Sequence, residues 1–153
     1  MSIEARLQSL GIVLPAAATP VATYVPYVLE GKMLYLSGQG PRSESNTYPR
    51  GKVGADVDVE TAYQHARLTG INLLAVLRDA IDGDWLRVKQ VVKLLGMVNG
   101  APDFADHPKV INGCSDLLVE VFGDAGRHAR SAVGMGSLPN AMTVEIEMIV
   151  ALH

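Results

Sequence analysis

The sequence predicts an α+β fold, a two-layer sandwich of one mixed β-sheet with two amphipathic helices on one of its faces. Three observations predict it. Residues 32–37, 86–98, 131–137 and 142–151 carry strand composition and patterning. Two segments, beginning at Asp56 and Lys109, repeat apolar residues at helical spacing on one face only. Strands that outnumber one-faced helices are most economically covered as two layers. With 153 residues, 48% hydrophobic, the chain is long enough for one well-buried domain and short for two. No repeat, low-complexity tract or linker divides it.

Residues 1–19 read as an N-terminal extension. Glu4, Arg6, Gly11 and Pro15 deny it the basic start, unbroken apolar run and cleavage site of a signal peptide. "KMLYLS" (32–37) is a strand, and "GQGPRSESNTYPRGK" after it is a loop rich in Gly, Pro and Ser. In "DVDVETAYQHARLTGINLLAVLRDAI" the residues Val59, Ala62, Tyr63, Ala66, Leu73, Leu74 and Leu77 form a helical stripe. Asp56 or Asp58 is its N-cap, and Gly70 weakens it slightly. "LRVKQVVKLLGMV" (86–98) is a long strand. "KVINGCSDLLVEVFG" is a second helix, with a stripe of Val110, Cys114, Leu117, Leu118 and Val121 and Gly123 as its terminating glycine. The chain closes with strand 131–137, a turn at Leu138-Pro139-Asn140, and strand 142–151.

The last two strands carry the chemistry. In "MTVEIEMIVAL" the period is two: Val144, Ile146, Met148 and Val150 suit the side under the helices. Thr143, Glu145, Glu147 and Ile149 occupy the other side. The tight turn predicts that 131–137 and 142–151 are antiparallel neighbours with adjoining same-face side chains. Ala132, Gly134 and Gly136 leave one strand face bare, and Arg130 shares that face by parity. The expectation is a shallow cavity with a guanidinium on one wall and a carboxylate on the next strand. A guanidinium fork matches a substrate carboxylate and stays charged. The alternative is a structural ion pair of Arg130 with Glu147 or Glu145.

"RSAVGMGSLPNAMTVEIEMIVAL" closely resembles the C-terminal signature of the RidA/YjgF family of small trimeric proteins. "YVPYVLEGKMLYLSGQGP" is similar to the family's first hairpin, and the helix from Asp56 sits where the family's first long helix begins. The resemblance covers roughly residues 20–151 and describes a single RidA-like domain over 1–153. It implies a fold related to chorismate mutase and a homotrimer with clefts between subunits. The implied activity is hydrolysis of reactive 2-enamines and 2-imines of amino acids to 2-oxo acids and ammonia. Carried over by position, Arg130 matches the arginine that clamps the substrate carboxylate, and Glu147 the carboxylate that holds the attacking water. Tyr24, Ser37, Gly38 and Asn112 match residues lining the cleft. Ala132 stands where many members have cysteine, so the resemblance implies no thiolate there, only a backbone carbonyl. That departure, with the lengthened segment 101–113, keeps a second function open: a non-catalytic trimer that binds a small carboxylate.

The resemblance implies no metal or organic cofactor, and the four scattered histidines have no ligand spacing. His128, beside the arginine strand, reads either as a cleft-rim residue or as structural; Cys114 and Trp85 read as core. The single cysteine fits a reducing, cytoplasmic setting. No apolar run approaches the roughly 18 residues that span a bilayer. A formal charge of −3 and a sparse basic cluster argue against a nucleic-acid partner. They argue equally against ribonuclease activity, a name attached to the family.

Overall fold

In the computed structural model, which describes residues 1–153, Asp58 starts the longest helix by accepting the Thr61 backbone N–H at 2.7 Å. That helix, α2 (Val59–Ala80), follows a short α1 (Ile3–Ser9) and a hairpin, β1 (Tyr27–Glu30) and β2 (Met33–Gln39). After α2 come β3 (Val88–Asn99), α3 (His107–Phe122), β4 (Ala129–Met135) and β5 (Val144–Leu152). Asp56, the other candidate cap, instead accepts the Lys52 N–H. The hydrophobic stripe of α2 buries Ala62, Ala66, Leu73, Leu74 and Leu77 completely. Each of these leucines contributes about 1.5–3 kcal/mol of transfer free energy. All five predicted stripe residues of α3 are also fully buried, and Gly123 ends the helix at φ 62°.

The helices lie over a single five-stranded sheet of order β1-β2-β5-β3-β4. β3 pairs parallel with β4 and antiparallel with β5. This overturns the expected β4–β5 pairing, because β3 lies between them. The physical reason is the crossover: β3, α3 and β4 form a strand–helix–strand unit, whose strands pair in parallel. The segment from Ser137 to Thr143 then carries the chain past the end of β3, with Asn140 and Ala141 in left-handed backbone at φ 56° and 52°. A third helix, α1, is added to the expected two. Arg6 ties it to α3 by donating to the Val121 carbonyl at 3.1 Å.

Register fixes which side each residue faces. Arg130 stands opposite Leu94, which stands opposite Met148; Leu94 and Met148 are buried under the helices. Val144, Ile146, Met148 and Val150 occupy that side as expected. Thr143 does not take the outer side: it is fully buried, and its hydroxyl meets His65 Nδ1 at 2.9 Å.

The small residues of β4 face α3. A Cβ at Gly134 would lie 2.6 Å from His107 Nε2, and one at Gly96, on the adjacent strand, 2.6 Å from Ile111 Cγ1. Ala132 packs against the core. The bare stripe therefore admits a close helix rather than a ligand; only Gly136 faces open space. The two helices approach just as tightly. A Cβ at Gly113 would collide with the Tyr63 carbonyl, and one at Gly70 would lie 2.8 Å from Leu117 Cδ2.

Gly113→Ala is therefore expected to destabilise the fold by about 1–3 kcal/mol, the range for overpacking. Gly136→Ala, with no atom nearby, should stay within about 0.5 kcal/mol of wild type. Urea unfolding of the two variants checks this, and equal effects would contradict the packing assigned to Gly113.

Candidate functional site

Arg130 lies at the outer edge of the sheet, on the edge strand β4, and turns its side chain toward α3. Asn112 and Ser115, three residues apart and hence on one helix face, meet it there. Its Nη1 donates to Asn112 Oδ1 at 2.8 Å and to Ser115 Oγ at 3.1 Å. Nε and Nη2 make no hydrogen bond within the chain, and no carboxylate lies within ion-pair distance. Neither predicted ion pair with Glu145 or Glu147 forms. Those residues pair across the sheet with Met97 and Leu95, on the face opposite Arg130. The guanidinium is thus positioned by neutral acceptors with one edge of its fork free.

His128 completes this cluster. Its Nδ1 lies 2.6 Å from the Gly126 carbonyl and its Nε2 lies 2.8 Å from Ser115 Oγ. A carbonyl only accepts, so Nδ1 carries the hydrogen and Nε2 of the neutral ring accepts from the Ser115 hydroxyl. Burial holds the imidazole below its ordinary pKa; the Gly126 carbonyl opposes this and the Arg130 charge adds to it. Ser115, His128, Arg130, Arg127, Asp116 and Val119 line an opening of about 260 Å³. Cys114, one residue before Ser115, is fully buried, and burial pushes its thiol up to about 12, so it supplies no thiolate.

A second concavity, of about 190 Å³, gathers Tyr24, Gly38 and Glu145 with Gln39, Tyr48 and Met142. Gly38 is required here by close approach: a Cβ would lie 2.9 Å from Glu145 Oε2. Ser37 holds the wall in place, donating from its hydroxyl to the Val25 carbonyl at 2.6 Å, next to Tyr24. Burial, and then the charge of Glu147, raise the pKa of Glu145. Glu147 itself is exposed and does not line this concavity.

The structure thus divides the predicted residues. Arg130 and Asn112 meet on the helix side, with Ala132 packed beside them. Tyr24 and Gly38 meet in the second concavity, walled by Ser37, where they are joined by Glu145; Glu147 stays outside it. Three residues of these two clusters were not assigned to a site by the sequence. Ser115 was hidden among helix polar residues, although its i, i+3 spacing from Asn112 was a usable signal. His128 had an open role. Glu145 was passed over for its neighbour two residues on. No group of three or more His, Cys, Asp or Glu side chains is arranged to hold a metal ion, and no helix is long and apolar enough to cross a membrane.

The family model described as "YjgF/chorismate_mutase-like, putative endoribonuclease" matches residues 4–150. "Protein TCP17" of Trypanosoma cruzi is 43% identical over 99% of this chain and 94% of its own length. The crystal structure of protein Atu1372 from Agrobacterium tumefaciens, whose function is unknown, superposes with a TM-score of 0.92 at 45% identity. It covers 99% of this chain and 92% of that one. A 2-iminobutanoate/2-iminopropanoate deaminase of Dermatophagoides farinae is 29% identical over 91% of this chain and 93% of its own.

Two titrations check the electrostatics. Removing the cation in Arg130→Ala should raise the His128 pKa, and Glu147→Gln should lower that of Glu145, both read by NMR. Burial holds His65 and His128 below the ordinary imidazole value of about 6.5. As pH falls through that value the unfolded chain binds protons first, so both histidines contribute a loss of stability on acidification. His128→Gln should flatten that fall in urea unfolding; an unchanged slope would contradict the assignment.

Proposed function

Because the chain belongs to the YjgF/RidA family, we propose that it hydrolyses reactive 2-enamines and 2-imines of amino acids to 2-oxo acids and ammonia. The observation that carries this reading is the state of Arg130. Its Nη1 is fixed by Asn112 and Ser115, while Nε and Nη2 have no partner in the chain. That free edge suits the carboxylate of a 2-imino acid, which it would hold through two parallel N–H···O bonds. The distant Dermatophagoides farinae relative, named a 2-iminobutanoate/2-iminopropanoate deaminase, supports the substrate class.

In this reading Glu145, with Tyr24 and Gly38, holds the attacking water. A raised carboxyl pKa makes Glu145 the stronger base, and Glu147 contributes by its charge. Within one chain Arg130 and Glu145 face opposite sides of the sheet, so they can serve one substrate only across a subunit boundary. We therefore propose a homotrimer with its sites between subunits. The uncovered sheet face favours it: Val28, Tyr35 and Val133 are 52%, 45% and 39% exposed, and each is large and apolar enough to gain from cover. The chemistry asked of the protein is modest, since imines hydrolyse in water unaided. Orientation and delivery of water suffice.

A second reading has one observation behind it. Ala132, two residues after the arginine, turns its methyl into the core and brings no reactive group. A trimer that binds a 2-oxo acid without turnover would look the same at Arg130. The endoribonuclease of the family description has less behind it, since a charge of −3 offers RNA little attraction.

Ammonia release from freshly generated 2-iminopropionate tests the main reading. Wild type should exceed the buffer rate, and Arg130→Ala should fall to it. Equal rates for both, at the buffer rate, would remove the catalytic claim, and tight 2-oxobutanoate binding without turnover would establish the second reading. Light scattering should give three times the chain mass of 16.3 kDa; a monomer would contradict the shared site.

A further inference from the structure

We infer that a cleft beside α2, apart from both concavities described above, binds an α-amino acid with an aliphatic side chain. The inference is independent of the deaminase reading, because the cleft shares no lining residue with either concavity.

The cleft encloses about 610 Å³ between the N-terminal segment around Ile12 and Pro15, residues Arg42–Glu44 after β2, and Leu68, Ile71 and Asn72 of α2. That size falls among small-molecule sites, which span about 300–1,000 Å³. Ile71 and Asn72 follow Leu68 by three and four residues, so α2 presents all three on one face. Leu68, Ile71, Ile12 and Pro15 make one side of the cleft apolar. Arg42, Asn72 and Glu44 make the other side polar.

The polar side is left incomplete by the chain. Asn72 is 2% exposed, and its Nδ2 donates to the Gly40 and Arg42 carbonyls at 3.0 and 3.1 Å. Carbonyls only accept, so these two bonds fix which end of the amide is nitrogen. Oδ1 is then shut off from water with no partner. Arg42 is in a similar state. Its Nη2 donates to the Ala16 carbonyl at 2.7 Å, its Nε is buried without a partner, and no carboxylate pairs with it. Buried polar atoms without partners are costly. A donor and an acceptor unmatched on one cleft define what a ligand must supply.

The guanidinium calls for an anion, and Asn72 Oδ1 for an N–H donor. A carboxylate alone leaves Oδ1 unpaired, and an amine alone leaves the arginine charge uncompensated. An α-amino acid carries both groups on one carbon. Its ammonium also suits Glu44, the only carboxylate lining the cleft. Its side chain then lies along Leu68 and Ile71, which welcome a branched aliphatic chain and offer a polar one nothing.

Because water does not reach either orphan atom, entry requires the N-terminal wall to yield. That wall is lightly held. Residues 13–25 make no backbone–backbone hydrogen bond. Near the cleft, side chains hold the segment: Arg42 on Ala16, and Arg78 on the Leu14 and Pro15 carbonyls at 3.5 and 3.0 Å. A ligand carboxylate on Arg42 replaces the neutral Ala16 carbonyl with a charged acceptor, the stronger of the two.

Calorimetric titration of the full chain with L-leucine tests the site. Wild type should bind it. 4-Methylpentanoate, which lacks the ammonium, and 3-methylbutylamine, which lacks the carboxylate, should each bind at least about tenfold more weakly, as expected for loss of a charge-assisted hydrogen bond. Arg42→Met should lose a similar factor. Leu68→Trp, which fills the cleft and leaves its polar groups in place, should do the same and keeps the test decisive if Arg42→Met fails to fold. Urea midpoints of both variants separate lost affinity from lost structure. Arg130→Ala should bind leucine as wild type does. Three results would each overturn the inference: no leucine binding by wild type, equal affinity for leucine and 4-methylpentanoate, or binding lost in Arg130→Ala and retained in Leu68→Trp. None of them bears on imine turnover, which is measured separately.

Discussion

The hydrogen-bond ladders of β3, parallel to β4 on one side and antiparallel to β5 on the other, decide where every candidate functional side chain goes. A strand has only two faces, and its register with a neighbour assigns residues to them without freedom. Because Arg130 is in line with Leu94 and Met148, it must face the helices. Because Glu145 is in line with Met97, it must face away from them. Had β4 paired directly with β5, arginine and carboxylate could have shared a cavity in one chain. With β3 between them, they lie on opposite faces of the sheet.

The helix layer turns that separation into chemistry. α3 is drawn down onto β3 and β4 because Gly96 and Gly134 offer no side chains there, admitting Ile111 and His107. That descent brings Asn112 and Ser115 to Arg130. The same helix meets α2 through Gly70 and Gly113, where backbone and side chain leave no room for a methyl group. Core packing and the orientation of one guanidinium are thus consequences of the same close approach. The partners of Arg130 are neutral oxygens, so its charge stays uncompensated within the chain.

Much of the fold was legible in the sequence because its signals are local. The caps Asp58 and Gly123, the stripes of α2 and α3, and the period of β5 all depend on neighbours in the chain. Pairing is not local, and there the reading went astray: the short turn after β4 outweighed the strand–helix–strand order of β3, α3 and β4. The error carried into the site. A stripe of small residues was read as space for a ligand, when a helix fills that space. Arg130 stood out because an arginine beside such a stripe is conspicuous. Ser115 and His128 were not joined to it, since their meeting requires α3 and β4 to be folded together. Glu145 and Glu147 share a face and a charge, so parity could not tell which of them lies against Gly38; in the fold it is Glu145.

The central claim is that Arg130 is a free carboxylate clamp rather than one half of a structural ion pair. A crystal structure with 2-oxobutanoate bound tests it most directly. The account predicts the ligand carboxylate on Nε and Nη2 of Arg130, with Nη1 still on Asn112 and Ser115. A guanidinium paired with a glutamate of another subunit, and the ligand bound elsewhere or not at all, would contradict it.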